Sequence, residues 1–210
     1  MRTEKEKMLQ EELYVANDLE LREDAKRSRQ LTRIFNQTTE EQAEYRQTLL
    51  KELFKKTGKN IYMEPPFRCD YGSNISIGNN FYANFDCIFL DVAEIKIGEN
   101  VMFGPKVNLL TPGHPIDSVV RNAGLEFGKE IQIGDNVWIG GNVVVNPGVT
   151  IGSNTIIGSG SVVTKHIPEN VIAAGNPCRV IRPIIEEDTF YWEAKQKEYW
   201  KEVNNKELKK

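Results

Sequence analysis

The stretch IQIGDNVWIGGNVVVNPGVTIGSNTIIGSGSVVTK, residues 131–165, decides the fold because one spacing recurs throughout it. Neither the 3.6-residue period of a helix nor the two-residue alternation of a strand sustains a strict period of six. The spacing therefore predicts a β-solenoid in which three hexads close one coil of about 18 residues. An aliphatic residue returns at every sixth position: Ile133, Ile139, Val145, Ile151, Ile157 and Val163.

The hexads also predict which side chains form the core. The aliphatic residue at the first position points inward and stacks on its equivalents in neighbouring coils. The residue after it is often Gly or Asn, and we expect it at a corner with left-handed backbone angles, which these residues tolerate best. The second inward positions are small or β-branched: Val101, Val107, Val137, Val143, Val149, Thr155 and Ser161.

The hexad register is interrupted twice, between Phe89 and Ile97 and between Leu109 and Ile133. The second interruption contains TPGHPIDSVVRNAGLEFGKE, residues 111–130, whose Gly and Pro content predicts a loop that protrudes from the coil. Long loops in compact domains are often functional. One of the chain's two histidines, His114, lies near the start of this loop.

The two ends of the chain leave the hexad register. Residues 1–60 are charged with apolar stripes at helical spacing and predict two or three short helices, with Thr38 starting one and Gly58 ending it. Residues 61–182 form the predicted solenoid. Residues 183–210 predict an amphipathic helix that packs across the solenoid or a subunit seam through its aromatic residues.

Composition narrows the function classes. A net charge of -3 gives no reason to expect a nucleic-acid partner. No run approaches the roughly 20 apolar residues of a membrane span, and the first residues lack the apolar core of a signal peptide, so we expect a cytoplasmic protein without membrane contact. Cys69, Cys87 and Cys178 are few and far apart, which favours buried thiols over disulfides or zinc ligands. Two histidines are too few for a three-histidine metal site.

Several blocks of sequence, in order, resemble one enzyme family. They run from about residue 4 to residue 182: EKEKML, ELY, EPPFRCDYGSNISIGNNFYANFDC, GHPID, IGDNVWIGGNVVVNPGVTIG, VVTK and AAGNPCRVI. The chain resembles the hexapeptide-repeat acyltransferases, in the maltose and galactoside O-acetyltransferase branch. The resemblance implies a left-handed parallel β-helix, a homotrimer with active sites between subunits, acetyl-CoA as co-substrate, a sugar hydroxyl as acceptor and no metal.

Acetyl transfer to a hydroxyl requires a general base, a hydrogen-bond donor to the tetrahedral oxyanion and a binding site for coenzyme A. Imidazole ordinarily titrates close to neutral pH, and the GHP motif matches the family, so we expect His114 to be the general base. Glu126 is either its partner or a solvated loop carboxylate. The resemblance implies that Asn84 binds the acceptor hydroxyl and that the Gly141 N–H stabilises the oxyanion.

The remaining site predictions concern the acceptor and the cofactor. Asp70 and Asp91 are candidates for sugar contacts, with corner or salt-bridge roles as the alternative. Val15 and Ala16 interrupt the family pattern where relatives carry an acidic residue near the acceptor, so Asn17 or Asp18 is expected to substitute. The resemblance implies a cofactor path along Trp138, Gly141, Ser159, Thr164, Ala174 and Gly175, with Lys165, Arg179 and Arg182 on the phosphates.

The sequence thus predicts a coenzyme A-dependent sugar O-acetyltransferase that acts by direct transfer in a ternary complex. A xenobiotic or serine O-acetyltransferase on the same fold is the alternative, because these enzymes differ only in acceptor. A non-catalytic scaffold would lack any turnover of acetyl-CoA. The physiological acceptor is left open.

Overall fold

A computed structural model describes residues 2–207 and contains a solenoid with helices at both ends. Its α-helices are α1 (Glu4–Leu9), α2 (Leu19–Asn36), α3 (Ala43–Leu53), α4 (Ser118–Asn122) and α5 (Glu186–Glu207), and a 3-10 helix spans Glu40–Gln42. Three strands lie outside the solenoid: β1 (Tyr14–Val15), β11 (Pro112–Gly113) and β12 (Leu125–Gly128).

The solenoid is a three-sided parallel β-helix, and we call its sides face I, face II and face III in the order that the chain visits them. Neighbouring strands within each face are parallel, except that β20 runs antiparallel to β19. Face I contains β2 (Lys56–Thr57), β5 (Ile75–Ile77), β8 (Ile95–Ile97), β13 (Ile131–Ile133) and β16 (Thr150–Ile151). Face II contains β3 (Tyr62–Met63), β6 (Tyr82–Ala83), β9 (Met102–Phe103), β14 (Trp138–Ile139), β17 (Ile156–Ile157), β19 (Val171–Ala174) and β20 (Arg179–Pro183). Face III contains β4 (Phe67–Cys69), β7 (Cys87–Leu90), β10 (Asn108–Leu110), β15 (Val144–Val145) and β18 (Val162–Val163).

The predicted core is confirmed, because the inward hexad residues of residues 131–165 are all buried, as are the small and β-branched second positions. The first coils are larger. Lys56 pairs with Ser76, a repeat of 20 residues, whereas Gln132 pairs with Thr150, a repeat of 18. Edge-to-face phenylalanine rings with centroids 5.1 to 5.8 Å apart fill the larger coils: Phe67, Phe81, Phe89 and Phe103.

The glycine that follows each inward isoleucine is required for a different reason than predicted. Gly78 and Gly134 are absent from the residues with positive φ, so left-handed angles do not explain them. A Cβ on Gly78 would lie 2.5 Å from the carbonyl oxygen of Gly98, and one on Gly134 would lie 2.6 Å from the Ser153 nitrogen. The glycines are therefore needed because successive coils approach too closely for a side chain.

One left-handed position lies two residues further on, at the edge between faces I and II, and asparagine occupies it in coil after coil. These residues have φ between 55° and 58°. Their side-chain amides also form a ladder with N···O distances of 2.9 to 3.1 Å. Asparagine thus satisfies the backbone angle and links neighbouring coils at once: Asn60, Asn80, Asn100, Asn136, Asn154 and Asn170.

The N-terminal helices cover the open end of the solenoid. Leucine and phenylalanine side chains of α2 and α3 join the solenoid core, and the Asn36 amide caps β4 by donating to the Phe67 carbonyl at 2.9 Å and accepting its N–H at 2.8 Å. The helical region ends at Leu53, so the boundary predicted near residue 60 lies inside the first coil.

Two predicted helix signals were wrong in position. The capping box is formed by Thr39 and Gln42, so it begins one residue after the predicted Thr38. The Thr38 hydroxyl instead accepts a hydrogen bond from the Arg46 guanidinium. Gly58 follows β2 in the first coil and ends no helix. The backbone geometry chooses between adjacent threonines, which the residue pattern alone cannot do.

The predicted C-terminal helix is confirmed as α5, but its aromatic side chains do not pack across the solenoid of the same chain, and their packing at a subunit seam stays a prediction. Phe190 is 63% exposed, Trp192 68% and Tyr199 60%. Phe190, Tyr191 and Trp192 are consecutive. Successive residues point about 100° apart around a helix, so these three side chains form no single apolar stripe. No helix within residues 2–207 is long and apolar enough to cross a membrane.

The asparagine ladder makes a stability prediction at Asn136, which accepts from Asn100 and donates to Asn154 at φ 57°. Asn136→Gly keeps the backbone angle but loses both side-chain hydrogen bonds, which should lower the free energy of unfolding by about 1 kcal/mol. Asn136→Ala also strains the backbone and is expected to cost about 2 kcal/mol. Urea unfolding of both variants measures the two contributions, and equal midpoints for all three proteins would contradict this account of the ladder.

Candidate active site

The polar residues that the sequence singled out for catalysis gather at the edge between face III and the next face I, which we call edge III–I. In regular coils six positions separate the inward residues across this edge, as from Val145 to Ile151. Eight positions separate Phe89 from Ile97, and residues 111–130 extend the same crossing in the following coil. Extra residues at one edge therefore supply turns and a protrusion without disturbing the core.

The protrusion predicted as a loop is a β-hairpin with a short helix between its strands. Strands β11 and β12 pair antiparallel, with Gly113 opposite Phe127. Strand β1 joins the other side of β12, with Tyr14 opposite Glu126. The hairpin that carries His114 is thereby fixed to the N-terminal helical region.

A cavity of about 650 Å³ lies between this hairpin, helix α2 and edge III–I. The predicted residues His114, Glu126 and Asp70 line it together. The His114 Nε2 and Glu126 Oε2 atoms are 3.8 Å apart, and Glu126 is the less exposed of the two side chains. This geometry supports a pair of the imidazole and the carboxylate at the cavity wall.

Asp70 is the cavity carboxyl with the most perturbed protonation. Burial and, after it, the negative charge of Glu126 raise the pKa of Asp70 to about 6, while the positive charge of Arg29 acts in the opposite direction. Asp70 lines the cavity, and its contact with an acceptor stays a prediction.

Asp91 does not contact the cavity, so its predicted contact with sugar is corrected. Its side chain is fully buried, and its carboxylate accepts the backbone N–H groups of Asp70, Tyr71 and Asn74 at 3.0, 2.9 and 3.2 Å. Burial raises the pKa of Asp91 to about 7, although these N–H groups favour the charged form. Asp91 therefore shapes the turn that presents Asp70.

The predicted acceptor role of Asn17 is also not supported by its position. Asn17 is exposed in the turn before α2 and is not among the residues that line the cavity, whereas Ala16 is. Asp18 is the N-cap of α2 and accepts the Glu20 N–H at 2.9 Å. Sequence reasoning missed a row of cavity cations, although their spacing along α2 was visible: Arg22, Lys26 and Arg29.

A second group of predicted residues lies at the edge between faces II and III, which we call edge II–III. Asn84 and Gly141 both occupy this edge, one after β6 and the other after β14. The Gly141 carbonyl accepts from Gly160, but its N–H donates to no group within residues 2–207. The coil below is close, since a Cβ on Gly104 would lie 2.6 Å from the Gly141 nitrogen. Within one chain, face III separates this group from His114.

The chain matches two sequence families. Residues 7–58 match the maltose acetyltransferase hexapeptide capping motif, and residues 130–165 match the bacterial transferase hexapeptide of six repeats. The galactoside O-acetyltransferase of Escherichia coli K12 is 49% identical over 158 residues, which cover 75% of this chain and 78% of that relative. The chain belongs to the hexapeptide-repeat acetyltransferases. Its branch is that of the maltose and galactoside enzymes.

Solved structures of this family have the same fold. A maltose O-acetyltransferase from Clostridium difficile has a TM-score of 0.87 and 55% identity, covering 88% of this chain and 98% of the other. A galactoside acetyltransferase in complex with coenzyme A has a TM-score of 0.87 and 45% identity, covering 90% and 94%. The chain is thus an acetyl-CoA-dependent acetyltransferase.

The residues predicted to hold coenzyme A in this acetyltransferase lie in its C-terminal coils. Trp138 projects from face II and is 50% exposed. Ser159 and Gly175 follow face II strands, and Thr164 and Lys165 follow β18. Among the strand β20 cations, Arg182 is held by Asp188 through two bonds of 2.6 and 2.8 Å, while Arg179 forms no ion pair within residues 2–207.

Across residues 2–207, no group of three or more His, Cys, Asp or Glu side chains is arranged to hold an ion. The second histidine, His166, is exposed and accepts the Thr150 N–H through Nδ1 at 2.9 Å, outside the cavity.

The raised pKa of Asp70 predicts a pH-dependent stability. Asp70 has a folded pKa of about 6 and an unfolded value near 4, so between these values the native state holds a proton that the unfolded chain has lost. Stability due to this group therefore falls as pH rises from about 4 to about 6. Asp70→Asn is expected to raise stability at pH 7 by on the order of 2 kcal/mol.

Urea unfolding at pH 4.5 and pH 7 checks this prediction. Glu41→Gln, at an exposed carboxyl on the 3-10 helix, is the matched control and should keep the wild-type pH dependence. An Asp70→Asn protein that is less stable than wild type at pH 7 would contradict the assignment.

Proposed function

We propose that this enzyme transfers the acetyl group of acetyl-CoA to a hydroxyl of a maltose-, galactoside- or glucose-like sugar, by direct attack in a ternary complex. The observation that carries the proposal is the position of His114, at a 650 Å³ cavity with Glu126 3.8 Å from its imidazole. The galactoside and maltose O-acetyltransferases that resemble this chain over most of its length support the sugar acceptor.

In the proposed mechanism, the His114 imidazole takes the proton of the acceptor hydroxyl. The hydroxyl oxygen of the acceptor attacks the thioester carbonyl carbon at the same time. The carbonyl oxygen becomes an oxyanion, to which the unpaired Gly141 N–H donates. Collapse of the tetrahedral intermediate breaks the C–S bond, and the imidazolium returns its proton to the leaving thiolate. The carboxylate of Glu126, 3.8 Å from Nε2, faces the positive charge that the imidazole carries between these two proton transfers.

We further infer that the active site forms between copies of the chain in a homotrimer. His114 lies at edge III–I, whereas Asn84 and Gly141 lie at edge II–III of the same chain. Edge III–I of one copy facing edge II–III of another would unite the base, the acceptor-binding amide and the oxyanion donor. This arrangement explains why each chain holds the predicted residues as two separate groups.

Coenzyme A would then lie along the edge that carries Gly141, towards the C-terminal coils. Small side chains at Ser159, Thr164, Ala174 and Gly175 leave room for the pantetheine arm beside the exposed Trp138 ring. Lys165, Arg179 and Arg182 would bind the phosphates, with Arg182 exchanging its bonds to Asp188 for the ligand.

The role of His114 is tested by His114→Ala. We expect acetyl transfer to fall by about 10²-fold or more, because the acceptor loses its base, while coenzyme A binding and assembly are retained. His166→Ala is the matched control, since its imidazole lies outside the cavity and should leave turnover within about twofold. Turnover is measured by thiol release, and near-normal activity of His114→Ala would overturn the assignment.

The acceptor class is tested by thiol release with maltose, a galactoside, glucose, serine and chloramphenicol. The proposal expects kcat/KM to be highest for a sugar, because polar side chains from α2 and edge III–I line the cavity. A higher kcat/KM for chloramphenicol or serine would contradict the proposed sugar acceptor but would leave the proposed acetyl transfer to a hydroxyl unchanged. No turnover with any acceptor would refute the proposed function.

A further inference from the structure

One buried hydroxyl group in the described chain has no hydrogen-bond partner. Among the buried side-chain nitrogen and oxygen atoms of residues 2–207, this is Oη of Tyr14. The Tyr14 side chain is 1% exposed and borders the cavity that contains His114. A buried polar group without a partner costs roughly 1 to 3 kcal/mol, so its retention needs an explanation.

The three-stranded sheet places Tyr14 in a row with Glu126 and His114. Tyr14 on β1 is opposite Glu126 on β12. On the other side of β12, Gly113 is opposite Phe127, which brings His114 level with Glu126 in the antiparallel register. Side chains directly opposite each other in such a sheet lie on the same side, with Cβ atoms about 5 Å apart.

The chemistry of this row points to Glu126 as the partner that the hydroxyl lacks. Glu126 is flanked by Tyr14 on one side and by His114, with Nε2 3.8 Å from its carboxylate, on the other. Burial raises the pKa of Tyr14, and Glu126 raises it in the same sense through its negative charge and through a contact with the hydroxyl whose geometry falls short of a full hydrogen bond. The phenol therefore remains a hydrogen-bond donor at neutral pH. A short movement of the carboxylate would allow the Tyr14 O–H to donate to it.

We propose that Tyr14 is a positioning residue for the transfer reaction, whose hydroxyl donates to Glu126 in the acceptor-bound enzyme and holds that carboxylate against the His114 imidazole. The hydroxyl is too buried to touch the acceptor, so it acts through Glu126. The inference rests on the proposed function, because it assigns Tyr14 to the same base.

Tyr14→Phe tests the inference because a positioning role and a packing role predict different results. Removing an unsatisfied hydroxyl should leave the thermal unfolding midpoint unchanged or raise it. A positioning role predicts that kcat for the best sugar acceptor falls roughly tenfold, with KM for acetyl-CoA unchanged. Tyr45→Phe removes an exposed hydroxyl on α3 and is the control, with kcat expected within about twofold of wild type.

A double-mutant cycle with Glu126→Gln identifies the partner. Because Tyr14 acts through Glu126, adding Tyr14→Phe to Glu126→Gln should lower kcat by less than about twofold further. Unchanged kcat in Tyr14→Phe, or full additivity of the two losses, would overturn the inference. So would a lower unfolding midpoint together with loss of coenzyme A binding, since that indicates a structural role.

The proposed function is tested separately by wild-type turnover and by the loss in His114→Ala. If both behave as expected and Tyr14→Phe does not, only the inference about Tyr14 fails. If wild type turns over no acceptor, the proposed function fails before any variant is compared.

Discussion

The close stacking of successive coils is the constraint on which the rest of the structure depends. Backbone N–H groups of one coil donate to carbonyls of the next, as Gly78 does to Ile97 and Gly98 to Ile133, both at 2.9 Å. At glycine corners such as Gly78 and Gly134 this approach leaves no room for a Cβ, and inside the coil it leaves room for aligned side chains that are mostly apolar. The core therefore has little space for polar groups that must meet a substrate, and in this chain the polar groups of the cavity lie at an edge or on an insertion.

At edge III–I, longer turns and one hairpin supply the polar groups of the cavity without disturbing the stacking of the coils. The fully buried carboxylate of Asp91 organises the first of these turns through three backbone N–H groups and so presents Asp70 to the cavity. The hairpin with His114 would be an isolated ribbon without β1, and isolated two-stranded ribbons are marginally stable. The N-terminal region thus closes the solenoid, lines the cavity and supports the base.

The parts of the fold that follow a period could be predicted from the sequence, and those that depend on single contacts could not. The hexads identified the core correctly because every coil repeats the same environment. Asp70 and Asp91 occupy similar turns one coil apart, yet only the local backbone decides which carboxylate faces the cavity and which is buried. Tyr14 was missed because its neighbour Glu126 is distant in sequence, and β1 is only two residues long.

A rigid solenoid allows unfavourable groups to persist at the cavity. An unpartnered tyrosine hydroxyl and a carboxyl whose pKa is raised to about 6 both disfavour the folded state, and both line the same cavity wall. The asparagine ladder and the phenylalanine stack stabilise the coils beside them without taking part in the site. Groups that destabilise a fold and converge on one cavity indicate function, because a wall with a purely structural role would gain stability by replacing them.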